Sequence, residues 1–97
     1  MPIVRLIFVT VAHEDAPAAE QIWKEDCAPL MIKQRGCLSE ELLKARDHPG
    51  ELISYSVWAD EESIQRYLAS EDHQAIKRHA AGLKTTGAPV VKLYEQV

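Results

Sequence analysis

Histidine is the side chain that titrates nearest neutrality, which makes it the natural general base at pH 7. Of the four histidines, His13 and His48 fall in segments that read as loops and are expected to be solvated. His73 and His79 stand on either side of Ile76 in a helical stretch, and at about 100° per residue each lies about 60° from it, on opposite flanks of the apolar stripe. Both therefore belong at the core boundary, where a shifted pKa and access to a pocket are compatible. The plain alternative is a boundary histidine that is structural or solvated. Their spacing does not align ligands on one helical face, and no cysteine pair is suitably spaced, so no metal site is expected. Tyr67 sits beside Leu68 on the same stripe, and a buried phenol needs a partner for its hydroxyl, either a substrate oxygen or water. Trp58 ends a strand on the side of Leu52, Ser54 and Ser56. Its indole can stack on a flat aromatic molecule and donate one hydrogen bond, or simply pack a strand–helix junction. Cys27, on the stripe after Trp23, and Cys37, behind Gly36, have no neighbouring histidine or cationic cluster in sequence to lower their pKa and read as packing residues. Arg5 is the lone charge of an apolar strand; it either pairs with Glu41, Glu95 or Glu40, or holds a substrate anion.

The elements that must position these side chains are legible from pattern. Residues 3–11 are rich in β-branched and aromatic types and read as a strand. His13-Glu14-Asp15-Ala16-Pro17 reads as a helix entry, with Pro in the first turn and acids at the positive end of the dipole. Ala19, Ile22, Trp23, Cys27, Leu30 and Met31 follow at helical spacing. Pro29 lies inside that pattern and predicts a kink or an early end; Gly36 predicts the C-terminal cap. Residues 37–46 and 51–58 read as strands around Asp47-His48-Pro49-Gly50, whose turn chemistry makes them a hairpin. Asp60 is an N-cap before Ile64, Tyr67 and Leu68, and a second helix start at Ser70 precedes Ile76 and Leu83. Thr85-Thr86-Gly87-Ala88-Pro89 breaks the helix, and residues 90–97 read as a last strand.

The order is βαββαβ. Two split βαβ halves with right-handed crossovers give an α+β, ferredoxin-like fold: a four-stranded antiparallel sheet with both helical segments on one face. In the first strand Val4, Leu6 and Phe8 point one way, and Ile3, Ile7, Val9 and Val11 the other, with Arg5 among them. Two helical segments cover one apolar face. The other implies a homodimer whose open sheets meet face to face, closing a barrel; otherwise long side chains half-cover it.

Composition bounds the reading. The chain has 97 residues, 46% hydrophobic and 27% charged, as in an ordinary globular domain. Eleven Lys and Arg against fifteen Asp and Glu give 11 − 15 = −4, which speaks against nucleic acid and anionic membrane as partners. The third strand lacks the basic, Gly-aromatic pattern of RNA-recognition domains that share this topology. No apolar run spans a membrane, no secretory signal is apparent, and two cysteines make no disulfide framework; a reduced, cytoplasmic protein is expected.

Several segments together carry a resemblance. Lys33-Gln34-Arg35-Gly36-Cys37-Leu38 leads into Glu41-Leu42-Leu43. Asp47-His48-Pro49-Gly50, Ser54-Tyr55-Ser56-Val57-Trp58, Tyr67-Leu68-Ala69-Ser70 and His73 then follow in element order. Over essentially the whole chain they resemble the antibiotic biosynthesis monooxygenase (ABM) family of the dimeric α/β-barrel superfamily. The resemblance implies one ABM-like domain over residues 1–97, a ferredoxin-like homodimer, and a pocket between helices and sheet in each subunit. It implies a cofactor-independent monooxygenase that oxidises a small reduced aromatic or phenolic substrate, quinol- or anthrone-like, with O2 and without metal. On that reading His73 and Tyr67 are the catalytic pair, Tyr67 stabilising the anion formed when a base deprotonates the substrate. Trp58, His79, Trp23 and Ile7 line the pocket. Alternatives within the same fold are an isomerase or carbon–carbon lyase with a His or Tyr acid/base, and a non-catalytic dimer that only holds a small molecule. The haem-degrading branch resembles a triad of Asn on the first strand, Trp in the second helical segment and His about ten residues on. Here the strand has no Asn, and Tyr67 and Lys77 stand at the other two positions, so haem degradation is disfavoured.

Overall fold

A computed structural model describes residues 1–97. Strands β1 (Ile3–Thr10), β2 (Cys37–Lys44), β3 (Glu51–Trp58) and β4 (Val90–Glu95) form one antiparallel sheet in the order β2-β3-β1-β4. Helices α1 (Ala16–Ile22), α2 (Ala28–Ile32), α3 (Glu61–Leu68) and α4 (Glu71–Ala80) complete the βαββαβ order. This is the ferredoxin-like arrangement expected from the pattern. No helix is long and apolar enough to cross a membrane.

Local chemistry explains most boundaries. Asp60 caps α3 by accepting from the Ser63 amide at 2.8 Å, and Ser70 caps α4 by accepting from the His73 amide at 3.1 Å. The Ser70 hydroxyl also donates to the Tyr67 carbonyl at 2.6 Å, so one side chain closes α3 and opens α4. Gly36 has φ +88°, and a Cβ there would collide with the Ser63 side chain. Both the backbone and the close approach of α3 therefore require glycine.

Pro29 does not end its helix. The backbone runs from α1 through a π turn, Trp23–Cys27, into α2, and the Ala28 amide donates to the Trp23 carbonyl, five residues back. The wider turn absorbs the hydrogen bond that proline cannot make. Strand β2 also departs from plain alternation. Cys37 lies opposite Trp58 but Ser39 lies opposite Val57, so Leu38 is an extra residue, a β-bulge. Because side chains alternate strictly, one extra residue exchanges the faces beyond it. Glu40, opposite Ser56, and Leu42, opposite Ser54, thereby face the helices, while Glu41 and Leu43 face outward opposite Tyr55 and Ile53.

Two buried clusters hold the layers together. Trp23, Cys27, Met31, Trp58, Ile64, Tyr67 and Ile76 form one; Val11, Ala16, Ala19, Leu52 and Leu83 form the other. The opposite sheet face carries Leu6, Phe8, Ile53, Tyr55, Leu43, Val90 and Tyr94 in register, and no element of the chain covers it.

Candidate active site

Between the two clusters, under α4 and over β1, lies a cavity of about 320 Å³. Its apolar wall includes Ile7, Val9, Trp23, Ile76 and Leu83, and its polar groups are Arg5, Tyr67, His73, Lys77 and Thr85. Four of the residues expected at a site therefore meet there: His73, Tyr67, Trp23 and Ile7. Trp58 does not. It is fully enclosed, at 0% exposure, behind Tyr67, whose ring stacks on it with centroids 5.1 Å apart. Its indole N–H donates to Ser56 Oγ at 2.9 Å, and Ser56 Oγ donates to the Arg5 carbonyl at 3.3 Å. Trp58 is thus a packing residue that backs Tyr67 and not a pocket edge. His79 is exposed and absent from the cavity wall; the flank of α4 that carries it turns to solvent, while the His73 flank turns inward.

The break at Ser70 brings Tyr67 and His73 together across two short helices, their rings edge to face with centroids 5.0 Å apart. His73 Nδ1 lies 3.1 Å from the Leu68 carbonyl oxygen. A carbonyl only accepts, so Nδ1 carries the proton of the neutral ring and Nε2 keeps a lone pair. Burial, reinforced by the charges of Arg5 and Lys77, holds the His73 pKa below 6.5, although the Leu68 hydrogen bond opposes the shift. His73 is therefore a neutral base at pH 7. Burial raises the Tyr67 phenol to about 12, so this group is a hydrogen-bond donor near neutrality. Tyr67 has no side-chain partner in the protein, and its hydroxyl is not sealed from solvent.

One residue behind the cavity wall stands outside the residues expected at the site. Glu40 accepts from Trp23 Nε1 at 2.9 Å and from Ser54 Oγ at 3.4 Å, both at Oε1. Its Oε2 is sealed and has no partner. Burial lifts the Glu40 carboxyl to about 7, against the lowering effect of the Trp23 and Ser54 hydrogen bonds and of Arg5. Glu40 fixes the Trp23 ring that lines the cavity and sits near enough to Arg5 to feel its charge, without the two forming an ion pair within 4.0 Å. Plain alternation from Cys37 sends Glu40 to the outer face, and the bulge at Leu38 is what turns it inward. Glu41 lies on the outer face and Glu95 is exposed beside Ile3; neither pairs with Arg5.

The cysteines are free and sit outside the cavity. Burial pushes both thiols up to about 11, Cys27 next to Asp26 and Cys37 near Glu40, which makes them poor nucleophiles. No three His, Cys, Asp or Glu side chains converge as metal ligands.

Residues 2–79 match the family model described as antibiotic biosynthesis monooxygenase. Among solved structures, the chain is similar to SnoaB, a cofactor-independent oxygenase from Streptomyces nogalater. That pair shares 23% identity over 98% of this chain and 92% of the other, with a TM-score of 0.81. It is also similar to a conserved protein from Methanosarcina mazei, at 16% identity over 100% and 94% of the chains and a TM-score of 0.87. For Rv0793 from Mycobacterium tuberculosis the values are 15%, 100%, 96% and 0.81. No sequence among curated proteins matches. With most of its length under one family model, this chain belongs to the antibiotic biosynthesis monooxygenase family.

Proposed function

We propose that the chain, acting as one domain over residues 1–97, is a cofactor-independent monooxygenase for a small reduced aromatic substrate, a quinol or anthrone. The observation that carries this reading is the pairing, in one apolar cavity, of a neutral histidine base with a tyrosine hydroxyl that has no partner in the protein. His73 Nε2 accepts a proton from the activated carbon or phenol, and the Tyr67 hydroxyl donates to the oxyanion that develops. The carbanion is electron-rich enough to reduce O2 without a prosthetic group; for an anthrone methylene the overall change is CH2 + O2 → C=O + H2O. Family membership and the likeness to an oxygenase described as cofactor-independent support the same reading.

The uncovered sheet face supports a homodimer. Leu43, Val90 and Tyr94 are 40–50% exposed there, and a second hollow of about 360 Å³ opens between Phe8, Leu43, Ile53 and Val90. A second copy laid on this face closes the barrel.

The test is oxygen-electrode uptake by the purified protein with reduced phenols, anthrones and quinols, beside an anaerobic arm with product analysis. Uptake that falls in Tyr67→Phe and His73→Ala is the expected result. Equal turnover under nitrogen would move the protein to an isomerase or lyase, and silence in both arms would leave a binding dimer.

A further inference from the structure

The chain is acidic overall, at −4, yet the charged side chains on the cavity wall are Arg5 and Lys77, and no carboxylate lines it. Arg5 is 8% exposed. A guanidinium this buried normally faces a carboxylate that offsets its desolvation, but Arg5 has no acidic oxygen within 4.0 Å. Its nitrogens have no acceptor in the protein, and none of them is sealed from solvent. Arg5 lines the same cavity as Tyr67 and is near enough for its charge to act on the phenol, so its unpartnered donors are available to a ligand there.

We propose that Arg5 and the Tyr67 hydroxyl form a receptor for an oxyanion, a carboxylate or a phenolate, carried by a small aromatic ligand. The fork matches such an oxyanion geometrically, and the Trp23 and Tyr67 rings with Ile7 and Ile76 supply the apolar walls a flat ring needs. The proposal rests on this cavity being the reaction site and narrows its substrate to monoanions.

Glu40 tunes the receptor from behind Trp23. The titratable groups around it are Arg5 on β1, Cys27 in the π turn, Cys37 and Glu41 on β2, Tyr67 on α3, and His73 and Lys77 on α4. The thiols and the phenol titrate at about 11 or 12 and His73 below 6.5. Glu40, at about 7, takes on its charge between these limits. That charge competes with the ligand for Arg5, so anion binding weakens as pH rises through 7 and binding takes up a proton.

Calorimetric titration under nitrogen tests this with matched probes: naphthoate against naphthamide, and nitrophenol against nitroanisole. At about pH 6, naphthoate should bind about tenfold or more tightly than its amide, as a charged hydrogen-bonded contact does. Arg5→Gln should abolish that gap while keeping the affinity for the amide, and Arg5→Lys should keep part of it. Naphthoate stays ionised throughout, and its affinity should fall severalfold from about pH 6 to about pH 8 in the wild type but not in Glu40→Gln. A matching gap for nitrophenol, read by the visible band of its phenolate, would make a phenolate the oxyanion; a gap confined to naphthoate would make it a carboxylate. Equal affinity for both charged and both neutral probes overturns the proposal, as does a gap that survives in a folded Arg5→Gln. Should that variant not fold, an unchanged pH profile in Glu40→Gln overturns it instead. Binding is read without oxygen or turnover. A protein that selects anions but consumes no oxygen keeps the receptor and loses the monooxygenase reading, and oxygen uptake indifferent to ligand charge does the reverse.

Discussion

At the scale of single residues, the proposed function divides the roles of base, donor and wall among different side chains. His73 is held neutral by burial and nearby cations and has its tautomer set by the Leu68 carbonyl. With His73 as the base, kcat/KM rises with a midpoint below 6.5 and then declines severalfold as Glu40 takes on its charge through about 7, a decline absent in Glu40→Gln; a rise centred near 7 would contradict His73 as the base. Because its folded pKa is depressed, its contribution to stability is present above 6.5 and is lost as pH falls through the folded value. Tyr67→Phe keeps the ring that stacks on Trp58, so we expect thermal stability within about 1 kcal/mol of wild type and a rate about 10²-fold lower. Glu40 works the other way from His73. Its folded pKa of about 7 lies above the unfolded 4.5, so its contribution is complete below 4.5 and falls as pH rises to 7. Denaturant titration should find Glu40→Gln gaining about 1–3 kcal/mol on wild type between about pH 5 and about pH 8. Part of this was legible in the sequence. His73 and Tyr67 are marked by helical phase, as is His79, and Trp58 by strand alternation; packing sets the last two apart, Trp58 sealed behind Tyr67 and His79 on the solvent side of α4.

At the scale of elements, the site depends on three local departures from regular structure. The Ser70 break joins the Tyr67 carbonyl to the His73 amide through one hydroxyl. The π turn lets the first helix pass Pro29 and keeps Trp23 over the sheet. The Leu38 bulge turns Glu40 and Leu42 inward. Cap residues announce the first of these, and Asp60 and the Asp47-His48-Pro49-Gly50 hairpin are legible in the same way. Proline announces a disturbance at the second without its form. Nothing in the composition of β2 announces the third, because a bulge is decided by pairing with β3. Gly36→Ala probes this layer: with φ +88° and a collision with Ser63, we expect a loss of about 1–3 kcal/mol in chemical unfolding. An unchanged midpoint would mean that α3 does not press on the start of β2.

At the scale of the whole molecule, the helix-covered face of the sheet holds the proposed site, and no element of the chain covers the other face, which the proposed homodimer would bury. Apolar residues on both sides of β1 make this legible in the sequence, since two helical segments can cover one side alone. Sedimentation should give twice the 10.9 kDa of the chain, and Phe8→Glu, placing a charge at the centre of the open face, should return it to a monomer. The central claim is chemical, however: oxygen from O2 enters the substrate with His73 and Tyr67 as the working groups. Turnover of an anthrone under isotopically heavy O2, followed by product mass, tests it most directly. We predict a product carrying one labelled oxygen atom, formed far more slowly by His73→Ala and Tyr67→Phe. An unlabelled product, or labelling at the same rate in both variants, would contradict the account.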